Sequence, residues 1–444
     1  MKNYQSFFRG KKVTVMGLGL LGRGVNDAKF LAECGAELVV TDLKTRAQLK
    51  DSLQKLRDFK NICYTLGKHR LEDFRKKDFI LKAAGVPLDS PYIMEAKKND
   101  IPIEMDASLF AKLSSAKIIG ITGTRGKSTT THLIFNILKA AKKRVFLGGN
   151  IRGMATLPLL KKVKEGDWVV MELDSWQLQG FGDAKISPHI AVFTNFLLDH
   201  QNYYHGSMDR YFQDKSYIYQ FQKSEDFCIT SPKAAQLIRD KRFPRRGRLV
   251  EVEETLIPPD WNLKILGNHN RKNVAYAITA VRLIKIPEKI IKNTVEKFSG
   301  IPGRLELIRT VNGVAYINDT TATTPDGLRA ALQSFPDINR TVLIAGGADK
   351  QLEYQPFIEE VNKVKKLILL AGTATDKMVK LLPKRNKMIV VNSMKEAVIQ
   401  AQRIAAKGDT VLLSPGAASF GLFKNEFDRG EQFIKEVKKI KKAA

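Results

Sequence analysis

Residues 117–141 read KIIGITGTRGKSTTTHLIFNILKAA. The β-branched run Lys117 to Ile121 predicts a strand, Thr122 to Thr130 a glycine loop and Thr131 to Ala141 a helix. A strand that opens through glycines into a helix is how a parallel sheet holds phosphate, because loop N–H groups and the helix N-terminus both face the anion. The generic G-x-x-x-x-G-K-[ST] spacing would need glycine where Ile121 stands, yet the G-K-S core survives in a shortened form. On this reading the backbone of Gly123, Thr124, Gly126 and Thr129 cradles a β-phosphate, Lys127 reaches the β and γ oxygens, and Ser128 ligates Mg2+.

The same grammar extends in both directions. Short runs at Val13 to Met16, Glu37 to Val40, Trp168 to Glu172, Ile190 to Phe193, Val314 to Asn318, Thr341 to Ile344, Lys366 to Leu370, Met388 to Val391 and Thr410 to Ser414 alternate with helical patterns. This predicts an α/β chain of parallel sheets covered on both faces. The first run enters Gly17-Leu18-Gly19-Leu20-Leu21-Gly22, and Asp42 follows the second, twenty residues past the third glycine. That is a nucleotide-binding fingerprint, and a nicotinamide dehydrogenase is the first activity it suggests. Against that activity, the second glycine loop begins a different kind of site about a hundred residues on. Two nucleotide-sized sites on separate sheets follow, with boundaries near residue 104 and at Ser299-Gly300-Ile301-Pro302-Gly303.

At 444 residues and 43% hydrophobic, the chain exceeds one small core and is neither disordered nor fibrous. Lys and Arg number 74 against 46 Asp and Glu, a net +28 that suits a polyanionic partner. The basic residues lie in scattered pairs such as Lys142-Lys143 and rarely alternate with aromatics, so no nucleic-acid partner is expected. A basic nucleic-acid-stimulated ATPase is the distant alternative. Cys34, Cys63 and Cys228 are too few and too far apart for a disulfide framework or a metal site, which fits a reducing cytoplasm. No apolar stretch approaches the roughly 18 to 20 residues of a membrane span, so a cytoplasmic protein without membrane insertion is expected.

Glu172 ends a predicted strand in Glu172-Leu173-Asp174-Ser175-Trp176, and His200 sits just beyond another. A carboxylate and an imidazole at strand C-termini beside a phosphate loop stand where Mg2+ must be held. His69, His132, His189 and His205 have no such setting.

Seven segments, TGTRGKSTT (122–130), ELDSWQL (172–178), TNFLLDH (194–200) with Lys215 fifteen residues on, LGNHNRKN (266–273), Gly303-Arg304, NDTTATTP (318–325) and LLSPGAASFGLFKNEFDRG (412–430), occur in the order found in the Mur ligase family. The chain resembles that family along essentially its whole length. The resemblance implies three α/β domains: a Rossmann-like N-terminal domain for a UDP substrate (1–104), a central P-loop ATPase-type parallel sheet (105–300) and a Rossmann-like C-terminal domain that brings the amino acid (301–444). It implies a monomeric ATP-dependent amide ligase of peptidoglycan precursor synthesis, adding D-glutamate to UDP-N-acetylmuramoyl-L-alanine through an acyl phosphate. A sister ligase using L-glutamate or another amino acid is the alternative.

Position by position, the resemblance implies that Lys127 holds the ATP phosphates, Ser128 and Glu172 one Mg2+, and His200 a second. Lys215 becomes the carbamylated lysine, an anionic ligand where an ammonium would repel the metal. Asn273 matches an adenine contact, and Arg304 and Asp319 match groups directed to ATP. Leu20, Leu21 and Asp42 fall on the uracil side, Asn150 on the muramoyl group, and Lys350, Ser419 and Phe427 on glutamate. Four departures stand out. Arg125 replaces a frequent Asn, altering a loop-surface contact; Asp174 replaces a common Ser and adds charge near Mg2+. Thr321 stands where a lysine often meets glutamate, and the aromatic of KNEF is displaced by one position.

Overall fold

Strands that are apolar on both sides can be buried only between two layers of helices, and the three sheets of this chain follow that rule. The computed structural model describes the chain apart from residues 1–3, 21, 152, 201–202, 266, 351, 384–387 and 442–444. Leu21, expected on the uracil side, therefore lies outside the described residues. The chain divides into two compact units, Met1–Leu256 with Asn273–Thr294, and Ile257–Lys272 with Val295–Ala444.

The first unit carries two sheets. One comprises β1 (Lys12–Met16), β2 (Glu37–Asp42), β3 (Ile62–Leu66), β4 (Phe79–Lys82) and β5 (Ile103–Glu104), all parallel, in the order β3-β2-β1-β4-β5. In such a doubly wound order the ligand crevice opens where the order reverses, here between the ends of β1 and β4. The other comprises β6 (Lys117–Thr122), β7 (Val145–Gly149), β8 (Trp168–Glu172), β9 (Ile190–Phe193), β10 (Phe227–Thr230) and β11 (Arg248–Glu251), again all parallel, in the order β11-β10-β9-β6-β8-β7. β6 is thus flanked by β8 and β9, and the loop that follows it opens beside the ends of both. One hydrophobic cluster runs from Val13 and Val40 of the first sheet to Val169 and Phe193 of the second.

The second unit carries β12 (Glu306–Val311), β13 (Val314–Asn318), β14 (Thr341–Gly346), β15 (Lys366–Leu370), β16 (Met388–Val391) and β17 (Thr410–Leu413), in the order β12-β13-β17-β14-β15-β16. Only β12 is antiparallel; it joins β13 through Asn312-Gly313, both at positive φ (54° and 73°), the residue pair that a tight hairpin turn prefers. Period-two alternation splits the core: Leu343, Leu369 and Leu412 face one helical layer, Ile344, Ile368 and Leu413 the other.

The helix after the central glycine loop begins at Lys127, not at Thr131, because Gly126 at φ 86° caps it and turns the chain into the helix four residues early. β3, β4, β5, β7, β10, β11 and β12 were not predicted as strands. β3, β5, β7, β11 and β12 lie at sheet edges, and β11 reads Arg-Leu-Val-Glu with both ends exposed, whereas β4 and β10 are interior strands.

Candidate active site

β6 ends in a loop that its neighbours hold from several sides. The Thr124 N–H donates to the Asn195 carbonyl at 3.0 Å, and the Arg125 N–H to Asn195 Oδ1 at 2.9 Å. The Thr194 hydroxyl donates to the Arg125 carbonyl at 2.6 Å. Glycine is required at two points. A Cβ on Gly123 (φ 132°) would stand 2.0 Å from Thr194 Oγ1, and one on Gly126 would stand 2.2 Å from Asn273 Oδ1. The expected adenine contact Asn273 is therefore buried directly against the loop. The helix Lys127–Ala140 starts here, and its N-terminus adds to the field of the loop.

Two lysines converge on the loop. Lys127 Nζ donates to the carbonyls of Gly123 (3.0 Å) and Thr124 (3.1 Å), while Lys215, on the helix Met208–Ser216, donates to the same Gly123 carbonyl at 2.9 Å. Lys215 is 1% exposed and lies 4.8 Å from the Tyr211 ring centre. Burial, reinforced by the charge of Lys127, pushes its amine well below the ordinary lysine range. Both amines thus reach one carbonyl at the mouth of the loop, with the carboxylates of Asp174 and Asp199 near enough to act on Lys215.

Glu172 ends β8 beside Ile121, with which it is in register. Its side chain is buried, yet it takes no hydrogen bond or ion pair from any described residue, and neither does the Ser128 hydroxyl. The Asn150 N–H donates to the Glu172 carbonyl at 2.6 Å, an approach that only Gly149 permits, since a Cβ there would stand 2.1 Å from the same oxygen. Asn150 Oδ1 accepts from Arg23 Nη2 at 2.9 Å. His200 (φ 53°) packs against Trp176 at 4.7 Å and Tyr211 at 5.7 Å between ring centres. Burial lowers its pKa despite the nearby Asp199 carboxylate, which favours the neutral imidazole that can ligate a metal.

In the first sheet, Gly17, Gly19 and Gly22 all adopt positive φ, and Gly22 caps the helix Arg23–Glu33. Asp42 was expected to accept from a ribose or base. Its oxygens accept the N–H groups of Gly19 and Lys44, each at 2.9 Å, so the acid also shapes the glycine loop. Leu20 is exposed on that loop.

In the second unit, β14 and β17 are the strands between which the sheet order reverses, and an Ala348–Ala418 bridge joins the loops that follow them. Lys350 and Ser419 lie on these two loops. Lys350 Nζ donates to Thr323 Oγ1 at 3.2 Å, and Ser419 is buried. Phe427 is the second residue of the helix Glu426–Lys438, half-buried, its N–H accepted by Asn425 Oδ1 at 3.0 Å. Thr321 donates to the Gly303 carbonyl at 2.9 Å. Asp319 is buried and accepts from Ser414 Oγ (2.8 Å) and the Leu305 N–H (3.1 Å). Burial outweighs these bonds and the Arg304 charge, raising its carboxyl to about 7.

Three family models match the chain: the Mur ligase MurD-like N-terminal domain over residues 11–104, the Mur ligase middle domain over 121–242 and the Mur ligase glutamate ligase domain over 303–416. Among relatives, the chain is 36% identical to the UDP-N-acetylmuramoylalanine–D-glutamate ligase of Roseiflexus sp. (strain RS-1), covering 96% of this chain and 97% of that one. It is 37% identical to the ligase of the same name from Borreliella afzelii, covering 95% and 96%. The chain belongs to the Mur ligase family. Its fold is similar to that of UDP-N-acetylmuramate-alanine ligase MurC from Thermotoga maritima, with TM-score 0.60 at 18% identity over 96% of this chain and 99% of that one. It is also similar to Thermotoga maritima MurF ligase in complex with ADP, with TM-score 0.60 at 16% identity over 98% and 97%.

Mur ligases form amide bonds with ATP and use Mg2+. The chain's residues fit that ion: a buried carboxylate and a hydroxyl without partners among the described residues, at the mouth of a phosphate loop, are donors that Mg2+ accepts alongside phosphate oxygens and water. No group of three His, Cys, Asp or Glu side chains forms a metal cage among the described residues, and a phosphate-bound Mg2+ does not need one. Among the described residues, no helix is long and apolar enough to cross a membrane.

Of the departures noted in the sequence, one is corrected and another gains a second role. Arg125 is more than a loop-surface contact: it pairs with Asp199 at 2.7 Å. Burial alone would raise the Asp199 carboxyl, but Arg125 and His200 hold it below its usual range. Asp174 is the N-cap of the helix Ser175–Ala184, accepting the Gln177 N–H at 2.8 Å, while its charge also acts on Lys215 and His200. Sequence reasoning also missed Thr194 and Asn195, which shape the phosphate loop. Their signal was present, as two polar residues directly after a buried apolar strand.

Proposed function

We propose that this chain joins D-glutamate to UDP-N-acetylmuramoyl-L-alanine using ATP, a step of peptidoglycan precursor synthesis. The names of relatives matched along nearly their full length support this substrate pair over a sister ligase for another amino acid. The observation that carries the chemistry is the convergence of Lys127 and Lys215 on the Gly123 carbonyl, one strand from the buried Glu172 carboxylate.

In the first step an oxygen of the alanyl carboxylate bonds to the γ-phosphorus, the bond to the β–γ bridging oxygen breaks, and ADP leaves. In the second the glutamate amine bonds to the acyl carbon, inorganic phosphate leaves with the electron pair, and the amine gives up a proton. Lys127 and the loop N–H groups hold the β and γ oxygens while charge moves onto the β-phosphate. Mg2+, when bound, neutralises phosphate charge, with Ser128 and Glu172 holding one ion and His200 with a carbamate on Lys215 holding a second. The burial of Lys215 supports the carbamate: a neutral amine has the lone pair that adds to CO2, releasing a proton, and the product is an anion where an ammonium would repel metal.

We assign residues 1–104 to the UDP substrate, 105–300 to ATP and 301–444 to the amino acid. Asn150 serves the muramoyl group, Asn273 the nucleotide, and Lys350 with Ser419 the glutamate carboxylates. Three free cysteines suit the cytoplasm, where the reading places the chain as a monomer. Offering D- and L-glutamate together with UDP-N-acetylmuramoyl-L-alanine and ATP, and resolving the products by chirality, tests the proposal. Only the D-glutamyl product is expected; exclusive use of the L-form or of another amino acid overturns it.

A further inference from the structure

Lys82, the last residue of β4, is 3% exposed and takes no carboxylate into an ion pair among the described residues. Its Nζ donates instead to three backbone carbonyls of the segment that follows: Ala83 (3.4 Å), Ala84 (3.2 Å) and Val86 (2.8 Å). Burying an ammonium is costly unless its donors are satisfied, and here one short turn supplies all the acceptors. The Val86 N–H closes the same turn on the Ala83 carbonyl at 3.1 Å. With the carbonyls gathered around Lys82, the N–H groups of the two central residues, Ala84 and Gly85, have no acceptor among the described residues, and Gly85 is exposed. The turn lies against the glycine loop of the first sheet. The Ala83 N–H donates to the Met16 carbonyl at 2.9 Å, and a Cβ on Gly17 would stand 2.8 Å from the Ala83 Cβ. This is the crevice between β1 and β4 where the sheet order reverses.

We propose that Lys82 is a positioning residue for the nucleotide-sugar substrate: by drawing the carbonyls of residues 83–86 inward, it presents the N–H groups of Ala84 and Gly85 to an anionic oxygen of that substrate. Successive backbone N–H groups of one turn form an anion-binding concavity, and the glycine loop faces the same crevice. The inference rests on the reading of the first sheet as a UDP-sugar site. Burial brings the Lys82 ammonium down to about 8, against the pull of Asp174, Asp183 and Asp214 and with the help of Lys97. Loss of its proton above that pH removes a donor from the carbonyl cluster and loosens the turn.

Lys82→Met in the full chain tests this. The KM for UDP-N-acetylmuramoyl-L-alanine should rise about tenfold or more, as expected for lost hydrogen bonds to a charged group, while kcat and the KM values for ATP and D-glutamate stay within about twofold. The wild-type KM for the UDP substrate should also rise above about pH 8, a rise absent from the variant. An unchanged KM in the folded variant overturns the inference. Should Lys82→Met not fold, amide hydrogen exchange in the wild-type chain decides. Exchange at Ala84 and Gly85 should slow when the UDP substrate binds, and unchanged exchange overturns the inference. Protection by UDP alone identifies a diphosphate oxygen, and protection only by the full substrate identifies the carboxylate. If wild-type turnover does not depend on the UDP substrate, the underlying reading fails; normal dependence with a silent Lys82→Met removes this inference alone.

Discussion

The two glycine loops of the first unit end on nearly the same backbone. Gly22 caps its helix at φ 89°, ψ −13°, and Gly126 caps its own at φ 86°, ψ −12°. Each follows a parallel strand and offers N–H groups at a helix N-terminus, so each can hold phosphate. Their side chains differ. The first loop is stitched by the Asp42 carboxylate on the Gly19 N–H; the second is covered by Lys127 and Lys215, both on the Gly123 carbonyl. The backbone makes a place for phosphate, and the surrounding charge decides whether that phosphate is only held or also transferred.

The sharpest way to break the comparison is Lys127→Ala. It should lower the rate of ADP formation by about a hundredfold or more with the fold intact, because the lysine meets charge that develops in phosphoryl transfer. Near-normal turnover in a folded variant would remove the distinction between the loops. Next comes Lys215→Ala, expected to lower turnover by about tenfold or more, with part of the loss recovered in acetate, which supplies the missing carboxylate oxygens. Extra mass on the wild-type lysine in bicarbonate should accompany this. An active alanine variant and an unmodified lysine together refute the carbamate.

Asp42→Ala probes the first loop. Loss of the bond to the Gly19 N–H should raise the KM for the UDP substrate by up to about tenfold and leave the ATP requirement unchanged. Tight binding of NAD would instead return this loop to the dehydrogenases. The smallest effect concerns the second unit, where Asp319 joins the end of β13 to Ser414 and Leu305. Its folded carboxyl lies at about 7, above the unfolded range near 4, so the folded chain keeps a proton that the unfolded chain releases. The resulting stability is fully present below about pH 4 and is lost as pH rises to about 7. Asp319→Asn should flatten this slope and raise Tm by a few degrees at about pH 8, measured by thermal unfolding across pH. An unchanged slope would show that Asp319 ionises freely.

Both loops were legible because glycine at a strand end has few other uses, and the buried strands β1, β6, β8 and β14 announced themselves as unbroken apolar runs. Five of the missed strands, β3, β5, β7, β11 and β12, are sheet edges, whose half-exposed faces carry mixed residues; β4 and β10 were missed although they are interior and buried. In the site, Lys127, Ser128, Glu172, His200 and Lys215 were all picked from the sequence. The sequence did not show which atoms they meet: that Lys215 shares the Gly123 carbonyl with Lys127, or that Asp42 is engaged by the backbone, depends on contacts between residues 92 and 23 positions apart. Lys82 escaped notice because a lysine ending an apolar strand reads as a surface residue until its burial is seen.

The most direct test of the division between a holding loop and a transferring loop is ADP release measured with each substrate omitted in turn, for the wild type, Asp42→Ala and Lys127→Ala. Sustained ADP release is expected only when ATP, Mg2+, UDP-N-acetylmuramoyl-L-alanine and D-glutamate are all present. High concentrations of the UDP substrate should restore Asp42→Ala, and no concentration of any substrate should restore Lys127→Ala. Full-rate ADP release without the UDP substrate, or recovery of Lys127→Ala at high ATP, would contradict it.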